Sequence, residues 1–161
     1  MRCTPAGPMS APPECVILIG LPGAGKSSFY RERFAATHDH VSKDLWPHAR
    51  NREARQQGEI GQALAAGRSV VVDNINAAAA DRAATIATAR ARGARVVGYF
   101  FSVSTREAVA RNAERTGRAR VPNVAIFRAA KTLETPDLSE GFDQLFRVGL
   151  TEDRGFSVEE I

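Results

Sequence analysis

Short apolar runs alternate with longer segments of mixed apolar and polar residues along most of this chain. Four of these runs are rich in Val, Ile or Phe, which is typical of strands buried on both faces of a parallel sheet. They lie at 15–19, 69–73, 95–101 and 144–148. A shorter stretch, His40–Asp44, predicts a brief strand that delivers Asp44 to its carboxyl end.

The segments between these runs carry the signals of helices. Predicted helices begin at Lys26, at about Arg50, at about Ala77, after Ser104 and at Pro122. Gly67 and Gly93 are placed to end two of them, and Asn76 is placed to cap one. Ser104 and Glu107 have the spacing of a capping box. Strands alternating with helices of this length predict a parallel α/β sheet with right-handed crossovers.

Composition predicts one domain with short flanking segments. The 161 residues, 43% of them apolar, suit a single buried core. Residues 1–13 read as a flexible leader, 14–150 as the domain and 151–161 as an acidic tail. The two cysteines, Cys3 and Cys15, have no metal or disulfide spacing, so a cytoplasmic protein is expected. No apolar run is long enough to span a bilayer, and no membrane partner is expected.

The first apolar run breaks into a glycine loop. Gly20, Gly25, Lys26 and Ser27 occupy the fixed positions of the phosphate-binding P-loop pattern G-x-x-x-x-G-K-[ST]. Glycines let successive backbone N–H groups converge on an anion, and the following helix points its positive end at the same place. The predicted cofactors are therefore ATP and Mg²⁺, with Lys26 reaching the outer phosphates and Ser27 holding the metal.

The P-loop refines both the fold and the binding site. It predicts a three-layer α/β/α P-loop NTPase fold with a parallel sheet. The loop residues expected to bind the nucleotide are Gly20, Pro22, Gly23, Ala24, Gly25, Lys26, Ser27 and Ser28.

Charge is distributed unevenly in the second half of the chain. Residues 106–131 hold seven basic and two acidic side chains, whereas residues 134–161 hold two basic and eight acidic ones. The basic segment predicts contact with an anion, either the phosphates of a nucleotide or a nucleic-acid strand. Arg111 and Arg115 are four residues apart, so a helix would present both on one face. These features predict an arginine-bearing lid that closes over the phosphates.

Polar residues follow the predicted strands at the edge where a parallel sheet binds its ligands. Asp44 follows the short strand, and Asp73, Asn74 and Asn76 follow the strand at 69–73. A motor ATPase normally ends such a strand in an acidic pair, but here Asp73 is followed by asparagine. The pattern favours a small kinase, in which the γ-phosphoryl group passes to an acceptor.

Five motifs, in their order along the chain, resemble those of the 5′-hydroxyl polynucleotide kinase domain family. They are Gly20–Phe29, Val41–Asp44, Val71–Asn76, Arg111–Arg115, and Val121–Pro122 through Glu140–Phe142. The resemblance covers residues 14–150 and identifies them as a P-loop kinase domain.

This resemblance implies ATP-dependent transfer of the γ-phosphoryl group to the 5′-OH of DNA or RNA. Asp44 would be the general base, and Lys26 and Arg115 would act with it in catalysis. Arg111 and Arg115 would hold the nucleotide phosphates. The residues implied to bind the acceptor are Asp44, Asp73, Asn74 and Asn76.

The acceptor is less firmly predicted than the donor. Several family members carry an arginine three residues after the base, where this chain has Pro47, and His48 or Arg50 are candidate replacements. A kinase of a nucleoside, sugar or other metabolite is therefore an alternative, as is a regulatory or toxin-like nucleotide-binding module with little turnover. The oligomeric state is not predicted. No catalytic part is assigned to the three histidines His38, His40 and His48.

Overall fold

The computed structural model describes residues 11–161, so most of the predicted leader, residues 1–10, lies outside the described part of the chain. The six strands are β1 (Glu14–Ile19), β2 (His38–Val41), β3 (Ser69–Asp73), β4 (Arg95–Phe101), β5 (Gln144–Leu150) and β6 (Phe156–Glu160). The five α-helices are α1 (Lys26–Arg33), α2 (Arg52–Ala65), α3 (Ala79–Ala91), α4 (Thr105–Ala113) and α5 (Asn123–Thr132).

The strands form one sheet in the order β2-β3-β1-β4-β5-β6. The first five strands are parallel, and only β6 pairs antiparallel with its neighbour β5. In the centre, Val16 of β1 is in register with Val71 of β3 and Val97 of β4. β1, which is apolar after its first residue, lies between β3 and β4, where helices cover both faces of the sheet.

Alternate residues of the central strands divide the core into two apolar layers. Ile17 of β1 packs with Ile60 of α2 and Ile86 of α3 on one face. Leu18, which points to the other face, packs with Phe29 of α1 and with residues of α4 and α5. This confirms the predicted three-layer α/β/α architecture.

Two local predictions at the carboxyl edge of the sheet were wrong. The short strand is His38–Val41 rather than His40–Asp44, because the Ser42 hydroxyl accepts a hydrogen bond from Asp44 N at 3.2 Å and turns the chain into a 3₁₀ helix. Asn76 does not cap α3. It adopts a left-handed backbone (φ 49°) and Ala78 takes the cap position.

The segment predicted as an acidic tail, 151–161, instead contains β6. Its Phe156 and Val158 pack against the apolar layer that also holds Phe29, while Ser157 and Glu159 remain exposed. Glu159 pairs with Arg147 of β5 at 3.3 Å. This alternation of packed and exposed residues has only two apolar members, and the many acidic residues around them make it hard to detect in the sequence. Within residues 11–161, no helix is long and apolar enough to cross a membrane.

Two glycines provide a matched test of the packing. A Cβ on Gly98 of β4 would lie 2.6 Å from Leu145 Cδ2 and 2.8 Å from Phe142 Cε1, whereas a Cβ on the exposed Gly58 of α2 would meet nothing within 4 Å. We expect Gly98→Ala to lower the free energy of unfolding by roughly 1–3 kcal/mol through overpacking. Gly58→Ala should raise it by about 0.5–1 kcal/mol. Urea denaturation of both variants measures the two effects, and equal midpoints would contradict this packing.

Candidate functional site

The carboxyl ends of β1, β2 and β3 open into one cleft that also reaches α3, α4 and α5. Most of the predicted site residues line it. They are Pro22, Gly23, Lys26, Ser27, Ser28, Asp44, Asp73, Asn74, Asn76, Arg111 and Arg115. The other three predicted loop residues, Gly20, Ala24 and Gly25, do not line the cleft and are all buried. The fold therefore gathers at one place groups that are up to about ninety positions apart in the sequence.

The P-loop depends on two glycines with left-handed backbones. Gly23 has φ 86° and Gly25 has φ 99°. A Cβ on Gly23 would lie 2.5 Å from the carbonyl oxygen of Ala108, so α4 approaches the loop as closely as a backbone can. Gly23 does not belong to the fixed positions of the P-loop pattern, and the close contact with α4 explains its presence.

Lys26 is a buried cation held by the loop itself. Its Nζ donates to the carbonyl oxygens of Gly20 at 2.7 Å and Leu21 at 2.8 Å, and the residue is only 8% exposed. Burial lowers the pKa of Lys26 to about 8, although the Asp73 carboxylate acts in the opposite direction. A desolvated ammonium in this place is poised to interact with the oxygens of a phosphate.

Asp73 lies beside Ser27, the predicted magnesium ligand. The Ser27 hydroxyl donates to Asp73 Oδ2 at 2.7 Å, and Nε2 of His40 lies 2.9 Å from the same oxygen. Burial raises the pKa of Asp73, but the hydrogen bonds from His40 and Ser27 and the charge of Lys26 outweigh it, and the pKa is lowered overall. The resemblance implied a place for Asp73 near the acceptor, whereas its contacts belong to the P-loop side.

A hydroxyl and a carboxylate at this separation form a donor set suited to magnesium, which prefers oxygen ligands and usually keeps several waters or phosphate oxygens as well. Within residues 11–161, no group of three or more His, Cys, Asp or Glu side chains could hold a metal ion. Ser27 and Asp73 therefore fit Mg²⁺ that arrives with a nucleotide, because its phosphates would supply the further oxygens.

Asn74 braces the turn that carries Asp44. Its Oδ1 accepts a hydrogen bond from Lys43 N at 3.0 Å, and its Nδ2 donates to Gln56 Oε1 of α2 at 2.7 Å. Asp44 is itself exposed to the cleft. Asn76 has a comparable bracing contact, since its buried Nδ2 donates to Leu18 O at the end of β1 at 2.7 Å.

The two predicted lid arginines lie close to the loop but not on one helix. Nε of Arg111 donates to the carbonyl oxygen of Gly23 at 3.0 Å. α4 ends at Ala113, so Arg115 follows the helix, and its Nη1 donates to Ala119 O at 3.2 Å. Burial and the charge of Arg111 both lower the pKa of Arg115. Two mutually repelling guanidiniums beside the P-loop favour an anion between them.

The early end of α4 has a local cause in Asn112, which is fully buried. Its Nδ2 donates to Val121 O at 2.6 Å, and its Oδ1 accepts from Val121 N at 3.0 Å. These two bonds fold the segment between the helices back onto α4. Gly117, with φ 60°, provides the turn that this path requires.

A buried ion pair fixes the far wall of the cleft. Arg82 of α3 is fully buried and binds both carboxylate oxygens of Glu140, at 2.8 and 3.0 Å. Its Nη1 donates to the carbonyl oxygens of Asn76, Ala77 and Glu134, at 2.8, 3.0 and 3.2 Å. Arg82 therefore joins the loop after β3 to the segment after α5. Glu140 belongs to one of the five motifs, but the sequence had indicated no role for it.

The cleft also contains residues that the sequence did not single out. Arg52, the first residue of α2, lines it together with Lys43 and Pro47, whereas His48 and Arg50 do not. Arg154 in the β5–β6 turn and Phe156, the first residue of β6, also line it, and both belong to the segment predicted as a tail. An exposed arginine at a helix start and a residue in a presumed tail carry no pattern that marks them as parts of a site.

The family model of the AAA domain matches residues 15–136. Among solved structures, a chain of the Pnkp1/Rnl/Hen1 RNA repair complex is 26% identical, with a TM-score of 0.63, over 75% of this chain and 44% of that chain. A gluconokinase from Sinorhizobium meliloti 1021 is 22% identical, with a TM-score of 0.60, over 86% of this chain and 83% of its own.

A chain of the AvrRxo1-ORF1:-ORF2 structure with ATP is 13% identical, with a TM-score of 0.69, over 92% of this chain and 58% of that chain. The two likenesses below 25% identity show a shared fold. The described chain spans less than half the length of the RNA repair chain that it matches. Together these matches support a P-loop fold that this chain shares with the gluconokinase.

The buried ammonium of Lys26 predicts a pH-dependent stability. An unfolded lysine titrates near 10.4, so between pH 8 and 10.4 the unfolded chain binds more protons than the folded one. The free energy of unfolding of the wild type should therefore rise with pH relative to Lys26→Met, by at most about 3 kcal/mol. Urea denaturation without nucleotide, at several pH values from about 7 to 10.5, measures this difference. A difference that does not change with pH would contradict the burial of the charge.

Proposed function

The chain belongs to the AAA domain family, and from its cleft we infer that it is an ATP-dependent kinase whose acceptor is the 5′-OH of DNA or RNA. The observation that carries this proposal is the continuity of the cleft. A P-loop with its lysine, an exposed carboxylate at Asp44 and two arginines from the α4 segment all line the same opening. These are the parts that phosphoryl transfer requires.

In the proposed donor half, ATP binds with its phosphates over the P-loop. Lys26 exchanges the carbonyl oxygens of Gly20 and Leu21 for phosphate oxygens, which carry more negative charge. Ser27 and Asp73 would hold Mg²⁺, which would offset the negative charge of the phosphates. Arg111 and Arg115 bind the phosphates from the opposite side.

In the proposed acceptor half, Asp44 accepts the proton of the attacking hydroxyl. The hydroxyl oxygen forms a bond to the γ-phosphorus as the bond from that phosphorus to the bridging oxygen breaks, and ADP leaves with the electron pair. Asn74 acts on this step only through the backbone, because it fixes the turn that carries the base. Arg115 stabilises the charge that develops on the transferred group.

The acceptor distinguishes the two enzymatic candidates. The 26% identity to a chain of an RNA repair complex, together with the resemblance of the five motifs, favours a polynucleotide. A small-molecule kinase is the second candidate, because the gluconokinase matches this chain over 83% of its own length. Arg52, beside Asp44 in the cleft, is suited to hold an acceptor phosphate in place of the arginine that Pro47 replaces, whereas the neighbouring Lys43 is paired with Glu53 at 2.6 Å.

Substitution of the proposed base tests the reaction class. Asp44→Asn should lower the rate of transfer from γ-labelled ATP by about 10²–10⁴-fold and leave ATP affinity unchanged, because it removes the base but not the phosphate site. Single-turnover labelling of 5′-OH DNA, 5′-OH RNA and a nucleoside 3′-monophosphate measures the rate. Asp39→Asn is the matched control. Asp39 lies on β2 and pairs with Arg68, and neither residue lines the cleft.

The proposal fails if the wild type labels none of these acceptors. Labelling of an uncharged sugar alone would support the small-molecule candidate, and ATP binding without transfer to any acceptor would support a regulatory module. An Asp44→Asn variant that transfers at the wild-type rate would remove Asp44 from the mechanism.

Arg52 tests the nature of the acceptor. If it holds an acceptor phosphate, Arg52→Ala should raise the KM for a nucleoside 3′-monophosphate by roughly tenfold or more, which is the usual cost of losing a charge-assisted hydrogen bond. The KM for ATP should stay the same. Arg50→Ala is the matched control, because Arg50 does not line the cleft. A larger effect of Arg50→Ala would assign the acceptor phosphate to Arg50, one of the two replacements that the sequence offers for the missing arginine.

A further inference from the structure

His40 does not line the cleft but contacts Asp73, which does. The position of His40 in the sequence gave no reason to assign it a role. It lies on β2, the edge strand beside β3, and its side chain is only 29% exposed. Its Nε2 lies 2.9 Å from Oδ2 of Asp73, the last residue of β3. An ionised carboxylate can only accept a hydrogen bond, so Nε2 of His40 carries the hydrogen of this contact.

The hydrogen bonds of Asp73 are arranged asymmetrically. His40 and Ser27 both bind Oδ2, at 2.9 and 2.7 Å. Among residues 11–161, no donor binds the other oxygen, Oδ1. The carboxylate is thus held at one oxygen from two directions, which fixes its plane and leaves Oδ1 available to a ligand of the P-loop.

The imidazole of His40 is itself held in place. Its ring lies against the ring of Tyr30, with centroids 4.5 Å apart and planes 32° apart. The Tyr30 hydroxyl donates to the carbonyl oxygen of His38 at 2.7 Å, so this neighbour is anchored as well. A side chain fixed by packing and by one hydrogen bond is the type of support that orients metal-binding carboxylates.

We propose that His40 is a positioning residue that orients Asp73 for Mg²⁺-nucleotide binding. This inference rests on the proposed function only in its assignment of Ser27 and Asp73 to Mg²⁺. Without the His40 hydrogen bond, Ser27 alone holds the Asp73 carboxylate, which can then rotate away from the metal position. The contacts of Lys26 to the carbonyl oxygens of Gly20 and Leu21 do not involve His40, so the phosphate site keeps its lysine.

Three variants separate this role from a general effect on β2. His40→Phe keeps a ring against Tyr30 and removes the donor, whereas His40→Gln keeps an N–H donor without the ring. His38→Phe is the matched control, because His38 is a histidine of the same strand that pairs with Glu14 at 2.7 Å instead of Asp73. Urea denaturation establishes that each variant is folded.

The measurement is the affinity for ADP by calorimetry, with and without Mg²⁺. In the wild type and in His38→Phe, Mg²⁺ should strengthen ADP binding. In His40→Phe this strengthening should fall by about 10–100-fold, the usual cost of losing a support of a metal ligand. His40→Gln should recover most of it. Affinity without Mg²⁺ should be the same in all four proteins, which a merely destabilised site would not show.

The inference is overturned if His40→Phe keeps the wild-type response to Mg²⁺, if His38→Phe loses it equally, or if the wild type shows none. If His40→Phe does not fold, His40→Gln decides alone, because a loss of the response there would show that the donor is not what matters. Failure of the proposed function looks different: the wild type would bind Mg²⁺ with ADP and label no acceptor, while the contrast between His40 and His38 would stand.

Discussion

The structure is organised around a buried positive charge at the end of its central strand. An ammonium removed from water costs free energy unless acceptors replace the water. In this chain the carbonyl oxygens of Gly20 and Leu21 do so, and the burial still lowers the pKa of Lys26 to about 8. Phosphate oxygens are better acceptors for the same group, and so the folded chain holds in its core a charge that a nucleotide satisfies better than the protein does.

The ammonium of Lys26 stays in place because the elements around the P-loop leave the loop little freedom to move. β1 is buried on both faces, and α4 touches the loop so closely at Gly23 that a side chain there would overlap the carbonyl of Ala108. On the far side, Arg82 uses its guanidinium to hold three backbone carbonyls and Glu140 together. The walls of the cleft are therefore fixed by buried polar contacts, which are specific in direction, rather than by apolar packing alone.

The sequence allowed most of the fold, and many of the residues that line the candidate cleft, to be predicted, because those parts depend on local patterns. The runs at 69–73 and 95–101 coincide with β3 and β4, because each has an apolar centre with polar residues at its borders, Ser69 and Asp73 for β3 and Arg95 and Ser102 for β4. β6 was missed because its two apolar residues lie among acidic ones. Its place in the sheet depends on its pairing with β5, which the pattern of its own residues does not indicate. The contact of His40 with Asp73 likewise depends on strand register, and Arg115 left the helix because of the buried amide of Asn112.

The end of β3 explains how one short segment can serve both halves of the cleft. Asp73 is the last residue of β3 and Asn74 is the first residue of the bend that follows, and their side chains contact different partners. Asp73 binds Ser27, at the start of α1, while Asn74 binds the turn that carries Asp44. Because consecutive residues of one backbone hold the two groups, their separation is set by the covalent geometry of the strand. A shift of β3 would move the proposed metal ligand and the proposed base together, and this common support keeps the donor and acceptor halves in a constant relation.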